Sequence, residues 1–114
     1  YEDGVKESFR ITGTAASAAT ALLAGGVNNA DFAASTNKLS AIAIQKWIAL
    51  TNYDGLELWA ENRKSNVPVV PLSLQASKPT APVRLFYPLV ELNTNADNVP
   101  TGIDVFANKV FWDL

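Results

Sequence analysis

The stretch "STNKLSAIAIQKWIALTNYDGLELWAENRK", residues 35–64, decides the fold. Ser35 or Thr36 offers a hydroxyl N-cap, and the apolar residues after it recur at helical spacing, which predicts a helix to about Asn52. Leu39, Ile42, Ala43, Trp47 and Leu50 make one apolar stripe, and Ile44 and Ile48 add a second. A helix apolar around so much of its circumference is expected to be buried on most sides. Asp54, with Glu57 three residues on, reads as an aspartate version of the capping box and starts a second helix to about Lys64. Only a short turn around Tyr53 separates the two, so they should fold back as a helical hairpin.

The same stretch holds the residues that most invite a chemical reading. Glu57 and Glu61 lie one helical turn apart. Carboxyl groups that cleave a glycosidic bond must flank it, roughly 5–10 Å apart, whereas two acids on one helix face point the same way. Their expected role is a solvated face, with Glu57 at the helix start and Glu61 pairing with Lys64. Trp47 and Trp59 could stack on sugar rings. Trp47, however, belongs to the apolar stripe, and Trp59 shares its face with Leu56 and Arg63, whose guanidinium can lie over the indole one turn back. Structural packing is the expectation for Trp47, Trp59 and Arg63. Tyr87 and Trp112 remain as aromatic candidates for ligand contact.

Working outward, "YEDGVKESFRITG" (1–13) has Tyr1, Val5, Phe9 and Ile11 at helical spacing and Gly13 as a stop, the end of a preceding helix. Residues 14–34, rich in Ala, Ser and Thr and broken by Gly25-Gly26, read as a loosely ordered excursion. From Val67 onward, Pro68, Pro71, Pro79 and Pro82 rule out a long helix and favour an extended loop. "VRLFYP" (83–88) reads as a short extended segment, "LVELNTNADNVP" (89–100) as a short helix before an Asn-rich turn, and "KVFWDL" (109–114) as an aromatic pair tucked into a core. The expected class is mainly α, a single portion in which a helical hairpin is joined to a long irregular 65–114 region.

Composition narrows the function. The 114 residues carry a net charge of −2 with no basic patch, so nucleic acid is not an expected partner. There is no histidine and no cysteine, which removes the usual zinc, haem and iron–sulfur ligands and the Ser-His and Cys-His nucleophile pairs. No cofactor and no catalytic residue is expected. The chain contains no methionine and opens Tyr-Glu-Asp-Gly, which suggests a processed chain or a fragment. "NTNADNVPTGID" (93–104) puts Asn93, Asn95, Asp97 and Asp104 at positions one, three, five and twelve of a calcium loop. Yet Asn93 replaces the usual Asp, Asn98 the glycine and Asp104 the longer Glu, so an Asn-rich turn is the better reading.

Function enters through resemblance. "AIAIQKWIAL" (41–50), "GLELWAENRKSNVP" (55–68), "PVRLFYPLVELNTNADNV" (82–99) and "KVFWD" (109–113), in that order and preceded by "YEDGVKESF" (1–9), resemble the C-terminal segment of the SusD/RagB family, in its SusD-like branch. The family usually follows its basic pair with Thr-Gly, where this chain has Ser65-Asn66 after Arg63-Lys64. The resemblance implies the C-terminal portion of a larger lipoprotein of Bacteroidetes, anchored to the outer face of the outer membrane by an upstream lipidated cysteine. It further implies a scaffold of tetratricopeptide-like helix pairs, with no catalytic activity. Such a protein caps a SusC-type TonB-dependent transporter and hands it oligosaccharides or, in some branches, peptides. The family's ligand contacts lie mostly upstream of this segment, and none carries over to a residue here.

Overall fold

The computed structural model describes residues 1–111 and 113. The chain divides into two compact units, Tyr1–Val70 and Pro71–Leu114. It is mainly α: the described residues form five α-helices and one 3-10 turn, with no strand among them. None of these helices is long and apolar enough to cross a membrane.

The first unit holds two successive helix pairs. Helix α1 (Glu2–Ile11) has acids in its first turn and Arg10 in its last, the arrangement the helix dipole favours. Lys6–Glu2 and Arg10–Glu7 pairs at 3.2 and 2.6 Å brace its surface. Val5 is buried, Phe9 half-buried and Ile11 largely exposed, so the inward face is narrower than the sequence suggested. Gly13, at φ +73°, turns the chain out of the helix.

The supposed excursion is ordered. It contains helix α2 (Ala16–Leu23), which packs on α1 and buries Ala19 completely. Alanine is both the strongest helix former and small enough to let two backbones approach. Gly25 follows the helix because a Cβ there would meet the Ala21 carbonyl oxygen at 2.9 Å. Residues 26–36 then form a loop held by its own polar groups. The Asp31 carboxylate accepts from the N–H groups of Gly26 and Ala34, both at 3.1 Å. The bond from Ala34, foremost, and that from Gly26 hold the Asp31 carboxyl below its ordinary pKa, with a smaller contribution from the Lys38 charge. Tyr1 Oη donates to Ala30 O at 2.7 Å and Gln45 Nε2 to Asn29 O at 3.0 Å, pinning the loop to α1 and to the next helix.

That helix, α3 (Lys38–Leu50), is capped by Asn37, whose side chain accepts from Ser40 N at 3.1 Å. Ser35 and Thr36 do not cap it because the loop uses them. The Ser35 hydroxyl donates to Asp31 O and accepts from Asn29 N, while the Thr36 amide and hydroxyl both donate to Asn28 Oδ1. After a turn through left-handed Asn52 (φ +72°), Asp54 caps helix α4 (Gly55–Ser65) by accepting from Glu57 N at 2.9 Å. Asn66, also left-handed, closes α4 with a bond from its N–H to Asn62 O.

Helices α3 and α4 pack together and α3 also touches α1, yet α3 is not buried on most sides. Its enclosed residues are Ala41 and Ala43, while Leu39 is 78 % exposed and Ile42 and Ile48 face solvent. Trp47 is half-buried rather than enclosed. With Val5, Ala19, Ala30 and Leu58 the core of this unit is built largely of alanine, and no large side chain in the described residues is fully enclosed.

In the second unit, "VRLFYP" forms no strand; the backbone bond from Val83 N to Val105 O at 2.8 Å ties it to the later segment where Val105 is buried. Helix α5 (Leu89–Thr94) and a 3-10 turn (Ala96–Asn98) are its regular elements among the described residues.

Candidate functional site

A concavity bordered by aromatic side chains lies within the second unit. Pro88 occupies the N-cap of α5, and its fixed φ sets the chain for the helix, so Phe86 and Tyr87 arrive together at the helix start. The 3-10 turn and the segment through Gly102, at φ +71°, curl back over them. Between these elements is a cavity of about 430 Å³ lined chiefly by Phe86, Tyr87, Leu92, Val99, Pro100 and Ile103. Phe86 is 75 % exposed, and the Arg84 guanidinium lies over the Tyr87 ring at 5.0 Å. Among the described residues the lining holds no carboxylate, lysine, arginine or histidine. Such a site can hold a ring or an apolar face by stacking and exclusion of water.

Tyr87, singled out from sequence, thus lines a cavity, and its neighbour Phe86 was missed. The signal available was the Phe-Tyr-Pro run itself, in which a proline at a helix start fixes where the preceding aromatics sit. Trp112 lies outside the described residues.

Two of the calcium candidates, Asn95 and Asp104, make local side-chain hydrogen bonds. Asn93 sits within α5, and Asn95 caps its end, its side chain bonded to Glu91 Oε2 and Asn98 Nδ2. Asp97 belongs to the 3-10 turn. Asp104 Oδ1 accepts from Phe106 N at 2.9 Å, organising the following turn. Among the described residues no group of three or more His, Cys, Asp or Glu is placed to hold a metal ion.

The hairpin carboxylates take a partner that the sequence reading did not assign. Lys46 Nζ lies 2.6 Å from Glu57 Oε1 and 3.0 Å from Glu61 Oε2, so Glu61 pairs across the hairpin and not with Lys64. Glu57 likewise spends its carboxylate on Lys46 in place of the reciprocal half of a capping box. The turn is centred near Asn52–Tyr53, so position 46 mirrors a point midway between 57 and 61; this symmetry was readable in advance. Hydrogen bonds to Glu57, first, and to Glu61 raise the Lys46 pKa. A raised lysine contributes fully below its unfolded value of about 10.4 and loses that contribution as pH climbs through the folded value. Because the lysine is 35 % exposed, screening limits the bridge: Lys46→Met is expected to cost about 0.5–1 kcal/mol. In urea titrations the difference from the parent chain should shrink in high salt and vanish at strongly alkaline pH; a salt-independent loss would mean packing, not charge.

Arg63 lies over the Trp59 ring at 4.5 Å, and Trp59, like Trp47, is half-buried. Both tryptophans thus sit on the hairpin, neither enclosed nor fully exposed. Comparison with protein-family models, with curated proteins and with solved structures gives no match.

Proposed function

We infer that the chain is the C-terminal portion of a SusD-like outer-membrane lipoprotein that binds a glycan without cleaving it and passes it to a SusC-type TonB-dependent transporter. Its place is the cell-surface face of the outer membrane, with the lipid anchor outside these residues. The observation that carries this reading is the order of segments: a Trp-bearing hairpin at 41–65, the "PVRLFYPLVELNTNADNV" run, and a terminal "KVFWD". Two consecutive helix pairs, α1–α2 and α3–α4, agree with a tetratricopeptide-like scaffold. The aromatic cavity beside Tyr87 suits the retention of a ring by stacking.

A second reading is favoured by a specific surface. Between α1 and the end of α3 lies a groove of about 790 Å³ bordered by Phe9, Ile11, Ile48 and Tyr53, with Tyr53 70 % exposed. Such a surface fits a segment that braces the scaffold or contacts the transporter while the ligand binds elsewhere. Calorimetric titration with a panel of oligosaccharides separates the two. Saturable heat with at least one sugar, and no new reducing ends after prolonged incubation, is the expected result. Silence across the panel would leave the bracing role, and release of reducing ends would sink both.

A further inference from the structure

The loop between α2 and α3 closes its carbonyl groups around a positive charge. Ser35 N donates to Asp31 O at 3.0 Å, a single helical turn that goes no further. Carbonyl groups at the end of such a turn lack helical donors and need another partner. Here the partner is the Lys38 ammonium, which donates to Ala33 O and Ser35 O at 2.9 Å each and closely to Phe32 O. The Phe32 ring covers a further side, its centroid 5.1 Å from Nζ.

Neutral carbonyl oxygens and one aromatic face are the surroundings that replace the hydration shell of a large monovalent cation. A divalent ion would call for charged oxygen ligands. The nearby carboxylate, Asp31, already has both oxygens committed to the N–H groups of Gly26 and Ala34.

The position of the lysine supports the same conclusion. Lys38 is the first residue of α3, where the helix dipole disfavours a cation and where the helix has no acid of its own. The carbonyl cluster accounts for a cation held against that dipole. The cluster also has support beyond the lysine, because Tyr1 and Gln45 tether the preceding residues and Ser35 is bonded from two directions. Lys38 is exposed, so ions from solution can reach the place its ammonium occupies.

We propose that the carbonyl oxygens of Phe32, Ala33 and Ser35, with the Phe32 ring, form a monovalent-cation site whose resident occupant is the Lys38 ammonium. A chain lacking that ammonium takes up K⁺ or NH₄⁺ in its place.

The test is thermal melting of the parent chain, Lys38→Met and Lys38→Arg in choline chloride, with KCl, NH₄Cl or LiCl substituted at constant ionic strength. The parent should be indifferent to the cation. Lys38→Met should melt lower in choline by roughly 4–8 °C and recover most of that loss, saturably, with K⁺ or NH₄⁺ but not with Li⁺. Lys38→Arg keeps a charge at the site and should gain nothing from K⁺. If Lys38→Met is unfolded in choline, circular dichroism serves instead: refolding on addition of K⁺ supports the site, and failure to refold in any salt overturns it. The proposal also falls if Lys38→Met melts with the parent in choline, if no cation restores it, or if all salts act alike.

Discussion

Leu58→Ala is expected to destabilise the helical unit by about 2–4 kcal/mol, enough to lower its melting temperature by roughly 10 °C or more. Leu58 is the buried residue of α4, at 8 % exposure, and it faces a core otherwise made of small side chains. Removing its branched end forfeits the transfer energy of three carbons and leaves a void. Alanines such as Ala41 and Ala43 have no flexible ends with which to fill that void, so the loss should lie toward the upper part of the range. Leu56→Ala, two residues away on the exposed side, should stay within about 0.5 kcal/mol. Urea denaturation of the two variants checks the pair, and equal losses would mean that α4 does not pack with the face assigned to it.

Ala41→Leu is expected to cost about 1–3 kcal/mol although it adds a hydrophobic group and keeps a good helix former. Ala41 has no exposed surface, so three added carbons must push a neighbouring helix or adopt a strained rotamer. Two residues away, Leu39→Ala should be nearly neutral, because Leu39 is already in water. The inversion is diagnostic: enlarging an alanine should hurt more than truncating a leucine. A stabilised Ala41→Leu chain would mean a loosely packed hairpin.

Much of the hairpin was legible because its signals are local. The Asp54 cap, the short turn and the end of α4 near Lys64 follow from cap chemistry and helical spacing alone. The start of α3 was misplaced by one or two residues because Ser35 and Thr36 are ordinary N-caps in isolation, and only the folded loop shows their hydroxyls engaged elsewhere. Residues 14–34 were misjudged for a related reason: small-residue composition resembles a spacer, and the α1–α2 packing that orders it is a tertiary effect. Apolar periodicity correctly predicted helix α3 but not its burial. Periodicity says which residues share a face and nothing about whether a partner covers it, which is why Leu39 and Ile48 emerge on the surface. The cavity beside Tyr87 was half legible, since a Phe-Tyr-Pro run places two aromatics at a helix start, while the curl of residues 99–103 over them has no local sequence signal beyond Gly102.

Trp47 separates scaffold from binding surface most directly. As a half-buried residue of a structural hairpin, its truncation to alanine should cost about 1–2 kcal/mol, below the ~3–5 kcal/mol typical of a large aromatic lost from a closed core. The decisive measurement is melting temperature and oligosaccharide affinity on the same Trp47→Ala preparation, using whichever sugar the parent chain binds. A lowered melting temperature with unchanged affinity is the expected result. An unchanged melting temperature with affinity lost would make the tryptophan part of the binding surface and contradict the assignment of this hairpin to the scaffold.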